Sequence, residues 1–283
     1  MEQRVKKPEW LKIKIGGESN FKQTKMATEG NHLHTICASG RCPNLAECWG
    51  RGTATFMIGG EICTRSCKFC NTLTGRPKPL DKGEPMRVAQ SVKIMGLKHA
   101  VVTSVDRDDL LDQGADHWVQ TIHAIREVNP ETTLEILIPD FQGKNDLIDQ
   151  VCMASPNVIS HNIETVRRLT PLVRSAAKYE RSLAVLKRIA YNGLKAKSGM
   201  MVGLGETRDE ILQTMDDLLE FDCSFLTIGQ YLQPSKKHLP VSEYVHPDTF
   251  REYKQIALEK GFKHVESGPL VRSSYHAENC VSS

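Results

Sequence analysis

"ICTRSCKFCN", Ile62 to Asn71, places three cysteines within eight residues, and 81 residues then pass before the next one. A structural zinc site takes four protein ligands and a ferredoxin-type cluster takes four cysteines, so the trio is one partner short for either. The residues around it decide the fold. A β-type run, "TATFMI" (Thr53 to Ile58), ends five residues before Cys63. Five more short runs follow: "AVVTSV" (Ala100 to Val105), "LEILI" (Leu134 to Ile138), "VIS" (Val158 to Ser160), "AKSGMMV" (Ala196 to Val202) and "FLTIG" (Phe225 to Gly229). Amphipathic helical stretches separate them. The clearest starts at Thr207, where Thr207 and Glu210 form a capping-box pattern and Ile211, Leu212, Met215, Leu218 and Leu219 share one face. Gly114 to Val128 and Glu180 to Tyr191 read the same way.

Strand and helix alternating six times imply a parallel sheet with right-handed crossovers. Periodicity leaves open whether the sheet is doubly wound or curls into a full or partial (β/α) barrel. In each case functional residues collect at the carboxyl ends of the strands. The chain fits that rule. The cysteine trio follows the first strand, Ser104 and Asp106 the second, His161, Asn162 and Glu164 the fourth, "VGLGET" the fifth and "GQYLQPS" the sixth. No GxxxxGK[ST] or GxGxxG opens a helix after a strand, so nucleoside triphosphate and dinucleotide sites lack their phosphate cradle.

Composition narrows the class further. The 283 residues are 40% hydrophobic and 25% charged, ordinary for a globular α/β protein of one large or two smaller domains. A net charge of +3 spread along the chain leaves no electrostatic footprint for nucleic acid. No apolar run approaches the ~20 residues that span a bilayer, and "MEQRVKKPEWLKIKI" mixes charges into its hydrophobics, unlike a signal peptide. A cytoplasmic location with no membrane partner is expected. The basic residues Arg4, Lys6, Lys7, Lys12 and Lys14 predict a solvated arm or a docking site for an acidic protein.

Nine cysteines, six of them inside 34 residues, argue for metal or redox chemistry in a reducing compartment. Cys152 and Cys223 sit beside apolar residues in periodic segments and read as buried, inert thiols, and Cys280 lies in the tail. Cys63-x3-Cys67-x2-Cys70 can hold a [4Fe–4S] cube with one iron left open, and Phe69 adds an aromatic face beside it. A zinc site would need a fourth Cys or His nearby, and none follows closely.

C-x3-C-x2-C with an aromatic before the last cysteine, after the first strand of a β/α chain, resembles the radical S-adenosylmethionine superfamily. In that superfamily the open iron chelates S-adenosylmethionine, and one electron cleaves it to a 5′-deoxyadenosyl radical that abstracts hydrogen from unactivated carbon. Two flanking segments narrow the resemblance: Cys37-x4-Cys42-x5-Cys48 in "CASGRCPNLAECW", and "GPLVRSSYHAEN" near the end. Together these look like the lipoyl synthase family over nearly the whole chain.

That resemblance implies a partial (β/α)6 barrel with N- and C-terminal extensions. Residues 1–52 would carry the auxiliary trio, 53–262 the core and 263–283 the RSSY segment. It also implies two [4Fe–4S] clusters: one on Cys63, Cys67 and Cys70 that binds S-adenosylmethionine, and an auxiliary one on Cys37, Cys42, Cys48 and a serine. Motif position selects Ser274 over Ser273. The auxiliary cluster would be dismantled, its sulfides entering two saturated carbons, C6 and C8, of an octanoyl chain on a carrier-protein lysine. A hydroxyl oxygen is a hard, displaceable ligand for sulfur-bridged iron, which suits release. Phe69 would pack near the adenine, with Asn162, Glu164, Gly203, Gly205 and Glu206 as further S-adenosylmethionine contacts. Glu164 and Glu206 read equally as helix-start carboxylates, and His161 with Asn162 as walls of the acyl pocket.

Expected partners are octanoylated lipoyl domains of 2-oxoacid dehydrogenase E2 subunits, the glycine cleavage H protein, a flavodoxin or ferredoxin reductant and an iron–sulfur carrier. Where family members carry acidic residues after the first cysteine, this chain has Ala38, Ser39, Gly40 and Arg41. The rival enzymatic reading is another sulfur-inserting enzyme of the superfamily, of biotin synthase or methylthiotransferase type. A rival of another class is a non-catalytic cluster or zinc scaffold. The position of the second trio and the serine pair oppose the first, and six β/α units with a polar rim oppose the second.

Overall fold

The computed structural model describes residues 6–12, 21–51 and 53–280. Arg4 and Lys14 of the basic arm lie outside the described residues. The strands, in chain order, are β1 (His34–Thr35), β2 (Thr55–Ile58), β3 (Ile62–Cys63), β4 (Leu73–Thr74), β5 (His99–Ser104), β6 (Thr133–Leu137), β7 (Val158–Ser160), β8 (Lys195–Val202), β9 (Phe225–Gln230) and β10 (His264–Gly268). Among the described residues, eight of them form one sheet in the order β1-β2-β5-β6-β7-β8-β9-β10. Every neighbouring pair from β2 to β10 is parallel, and β1 alone runs antiparallel, against β2. The six strands expected from sequence are all present, with their starts shifted by two residues or fewer. The sheet curls around a cavity but stays open, because its edges β1 and β10 do not pair.

Strand β10 escaped the sequence reading. "HVESG" offers only Val265 as a buried apolar residue, so it carries no hydrophobic run. Pairing with β9 in register, Val265 opposite Leu226 and Gly268 opposite Gly229, makes it a strand. The sheet therefore continues past residue 262 into the C-terminal segment.

Helices pack on the outer face, where their apolar stripes meet those of the strands. The helix Arg208–Glu220 begins at Thr207 with the expected capping box: the Thr207 hydroxyl accepts from Glu210 N, and the Glu210 carboxylate accepts from Thr207 N. Its Ile211, Met215 and Leu218 are buried. The helices Ala115–Val128 and Tyr179–Tyr191 bury Trp118, Ile122 and Ile125, and Leu183, Leu186 and Ile189, as their spacing predicts.

Beneath the cavity lies a buried ion pair. Lys197 Nζ donates to both Glu135 oxygens at 2.9 and 3.0 Å, and Ser160 Oγ donates to the same carboxylate at 2.8 Å. Glu135 and Lys197 sit two residues before Leu137 and Gly199, which line the cavity, so the pair occupies the layer below on the same strand faces. Both side chains are almost fully shielded from solvent. Removing one charge leaves the other buried and unpaired. Glu135→Gln is expected to cost about 3–5 kcal/mol in urea unfolding, while the Glu135→Leu/Lys197→Met double substitution costs much less.

Candidate active site

The first trio is held on a loop that the two-residue ladder of β3 and β4 closes, Ile62 against Leu73 and Cys63 against Thr74. Within it Cys70 N donates to Cys67 O, and Gly75 N to Cys63 O, each at 3.0 Å. The Cys63 sulfur accepts from Arg65 N at 3.4 Å and Asp106 N at 3.3 Å. Below it Arg65 is buried among three strand-end carboxylates. It reaches Asp108 and Asp140 at 2.7 Å and Asp106 at 3.2 Å. Burial alone would raise the Asp140 carboxyl, but the hydrogen bond and charge of Arg65 win and pull it down to about 2. This network pins the loop to the sheet.

The second trio sits on a different scaffold. Thr35 caps the short helix Ile36–Ser39, placing Cys37 on its first turn. Cys42 N then returns to Cys37 O at 3.0 Å, and Cys48 N to Asn44 O at 2.8 Å, which keeps the three cysteines on one compact turn. Trp49 and Ala54 pack with Cys37, and Cys42 and Cys48 lie against them. The C-terminal segment crosses the open side of the sheet to meet this group. Its close approach needs Gly229, where an added Cβ would stand 2.2 Å from Val271 O. Asn44 Nδ2 grips Leu270 O at 2.7 Å, and Thr55 Oγ1 donates to Ser274 Oγ at 2.9 Å. Thr55 also hydrogen-bonds Cys37, so Ser274 and Cys37 share one neighbour. Ser273 lines the same cavity, with no such tie among the described residues.

Five of the six trio cysteines open into one cavity of about 550 Å³, and Cys48 stands behind its wall. Cys37, Cys42, Cys63, Cys67, Cys70, Ser273 and Ser274 all line it, with Phe69, Met57, Leu137, Tyr231 and Val271 as apolar wall. Burial pushes the thiols of Cys37, Cys42 and Cys67 up, and those of Cys48 and Cys63 to about 12. Clustered thiols in such a setting ionise only with a strong cationic partner, which iron provides. No group of three His, Cys, Asp or Glu side chains among the described residues could hold a single metal ion. Three thiols on a wide loop, beside a cavity, match a cube with an open corner, and three thiols with a hydroxyl match a closed one. The donor sets fit the groups.

Asn162 and Glu164 also line the cavity, and Asn162 Nδ2 donates to Glu164 Oε1 at 3.0 Å. Asn162 Oδ1 is buried with no hydrogen-bond partner, an acceptor left for a ligand's N–H or O–H. Glu164 holds a left-handed backbone, φ 68°, which turns its side chain off the β8 edge that its main chain joins through Met200. Gly203, Gly205 and Glu206 are not brought to the cavity. The Glu206 carboxylate is used by its own turn, accepting from Gly203 N and Leu204 N, and an added Cβ at Gly203 would meet Gln230 and the Glu243 carbonyl. The segment reaches the site earlier, through Gly199, Met200 and Met201.

Three residues come to the site without a legible sequence signal. Arg65 lies inside the motif but faces carboxylates 43 and 75 residues away. Thr55 looks like any strand residue. Arg272 was visible only as part of RSSY; it lines the cavity beside Cys42, and burial lowers its guanidinium. Cys152 and Cys223 are buried with thiols raised to about 12, as inert thiols should be. Cys280 does not sit in a loose tail: it packs with Val158 and Phe225 at the amino ends of β7 and β9.

The sequence pattern of the radical SAM superfamily matches residues 57–218, and the chain belongs to that superfamily. A crystal structure of methylornithine synthase shares the fold at a TM-score of 0.54 and 14% identity, over 89% of this chain and 83% of that one. The curated lipoyl synthase of Parabacteroides distasonis is 67% identical over 99% of this chain and 100% of its own. That of Porphyromonas gingivalis is 65% identical over 98% and 99%. The chain is a member of the lipoyl synthase family.

His161, also in the cavity wall, is fully committed. Its Nδ1–H donates to Ile138 O at 3.0 Å, and its Nε2 accepts from Ser182 Oγ at 2.9 Å, with Arg174 donating to the same hydroxyl at 2.7 Å. Burial, with the Arg174 charge, lowers this imidazole to about 4. The folded value lies below the unfolded one, so the unfolded chain takes up the proton first as pH falls. The stability it contributes is present above about pH 6.5 and is lost toward pH 4, on the order of 3 kcal/mol. Urea midpoints measured anaerobically are expected to fall over that window, and His161→Gln to flatten the slope.

Proposed function

We propose that the two trios hold separate [4Fe–4S] clusters facing one substrate cavity, with Cys63, Cys67 and Cys70 on the S-adenosylmethionine side and Cys37, Cys42, Cys48 and Ser274 on the sulfur-donor side. The enzyme is a lipoyl synthase, a sulfur-inserting member of the radical S-adenosylmethionine superfamily. When bound, the cofactors supply hydrogen abstraction from saturated carbon on one side and sulfide on the other. The observation that carries the assignment is that one cavity is lined by Cys63, Cys67 and Cys70, by Cys37 and Cys42, and by Ser274.

The chain's own residues do the rest. The apolar walls from Met57, Leu137, Tyr231 and Val271 exclude water and suit a saturated acyl chain lying between the two donor sets. Phe69 offers a ring face, and Asn162 Oδ1 an unused acceptor, to the adenosyl and methionyl parts of S-adenosylmethionine, with Glu164 oriented by Asn162. Ser274 is a displaceable oxygen ligand, held in line by the Thr55 hydroxyl. In this reading residues 1–52 form an extension carrying the donor cysteines, 53–262 the core, and 263–283 the strap that brings Ser274.

The substrates would be octanoyl-lysine on lipoyl domains of 2-oxoacid dehydrogenase E2 subunits or on the glycine cleavage H protein. A flavodoxin or ferredoxin would supply electrons, and an iron–sulfur carrier would rebuild the donor cluster. No helix among the described residues is long and apolar enough to cross a membrane, and the cytoplasm suits reduced thiols and these partners.

Reconstituted protein is expected to hold about eight irons, four per cube, and the Cys37→Ala/Cys42→Ala/Cys48→Ala variant about four. That variant still cleaves S-adenosylmethionine to methionine and 5′-deoxyadenosine but adds no sulfur to an octanoyl-lysyl peptide, as followed by mass spectrometry. Wild type adds two; a variant that still added two would place the sulfur source elsewhere. Ser274→Cys, whose thiolate binds iron more firmly, is expected to keep eight irons and stall sulfur insertion, and Ser273→Cys to spare it.

A further inference from the structure

The cavity takes an acyl chain but not the protein that bears it, so on the reading above the carrier must rest on the cavity mouth. The charges there are of one sign. Lys7 and Arg41 line the opening and are exposed. Lys68 stands exposed between the cavity residues Cys67 and Phe69. Lys236 and Lys237 are exposed two and three residues beyond the cavity residue Pro234, whose carbonyl accepts from Arg41 at 3.5 Å. Two contacts fasten that loop to the rim: Leu239 N donates to Lys68 O at 3.2 Å, and His238 Nε2 donates to Cys70 O at 3.0 Å.

None of these five cations has a carboxylate partner among the described residues. Several cations elsewhere on the surface are paired, Arg168 with Glu210, Arg188 with Asp149, Arg208 with Glu252 and Lys260 with Asp216, and what sets the five apart is that they gather around one opening. The carboxylates that do line the cavity lie deeper and are engaged, Asp106 and Asp140 by Arg65, and Glu164 by Asn162. A rim of unpaired cations around an apolar hole focuses a positive field on its own axis.

We infer that this collar is the docking surface for the carrier, and that the carrier face around its acylated lysine is acidic. The collar steers and seats that face so that the lysyl arm enters the cavity. Such pairing acts at the rim, in solvent, and weakens once added salt shortens the screening length below about 8 Å.

The test measures binding separately from turnover. Fluorescence anisotropy of labelled, octanoylated H protein is titrated anaerobically with the reconstituted enzyme at low and high salt. Binding is expected to weaken with salt. The Lys68→Glu/Lys236→Glu/Lys237→Glu variant is expected to bind about tenfold more weakly, and carboxylate-to-amide changes around the carrier lysine to do the same to wild type. Lys236→Glu/Lys237→Glu leaves sulfur addition to a short uncharged octanoyl-lysyl peptide unchanged. Salt-independent binding, or equal affinity of wild type and triple variant, overturns the docking surface. Wild type failing to add sulfur to the peptide overturns the functional reading instead, and the binding result stands apart from it.

Discussion

Thr55 is where three distant parts of the chain meet. It is the first residue of β2, its hydroxyl donates to Ser274 in the C-terminal strap, and it hydrogen-bonds Cys37 in the N-terminal extension. The sheet is open between its two edges, so it offers no wall of its own there. The extension and the strap supply that wall, and the Thr55 bond fixes them against each other. Asn44 gripping Leu270 and the bare Cα of Gly229 under Val271 make the same junction from either side. Without it the second thiol trio would be a loop on the surface rather than a boundary of the cavity.

The two thiol groups differ in their electrostatic setting. The Cys63 loop is anchored to strand ends by a buried arginine and three carboxylates, and its sulfur is touched by two backbone N–H groups. Among the described residues the Cys37 group has no such acid network; Trp49, Ala54, the Thr55 hydroxyl, Arg272 and the single carboxylate Glu47 lie near it. A rigidly held set suits a cofactor that must persist through turnover. On the proposed reading, a set closed by one hydroxyl suits a cluster that gives up its sulfur. The floor below both is rigid too, with Lys197 and Glu135 matched and buried so that the cavity ends on a neutral pair.

Much of this was legible from residue order. Alternating apolar runs and helical faces predicted six of the seven parallel strands, because each buries a contiguous stripe that local sequence must encode. Strand β10 carries one buried apolar residue and exists through pairing with β9, so its own composition could not announce it. The thiol trios were visible because their ligands are close in sequence. The polar rim was visible in outline, but not its membership: Gly203, Gly205 and Glu206 occupy a strand end as expected and still spend their groups on their own turn.

The chain by itself determined which thiols are grouped and where they stand relative to the strands, since spacing of a few residues confines three thiols to one loop whatever the rest does. Tertiary structure decided that the two loops face one cavity, that Ser274 lies beside the Cys37 group, and that Arg65 finds carboxylates from two strand ends. Those are contacts across as many as 219 residues, as between Thr55 and Ser274. Local preference carries no information about such distances; only the closing of the open sheet by its two terminal segments sets them.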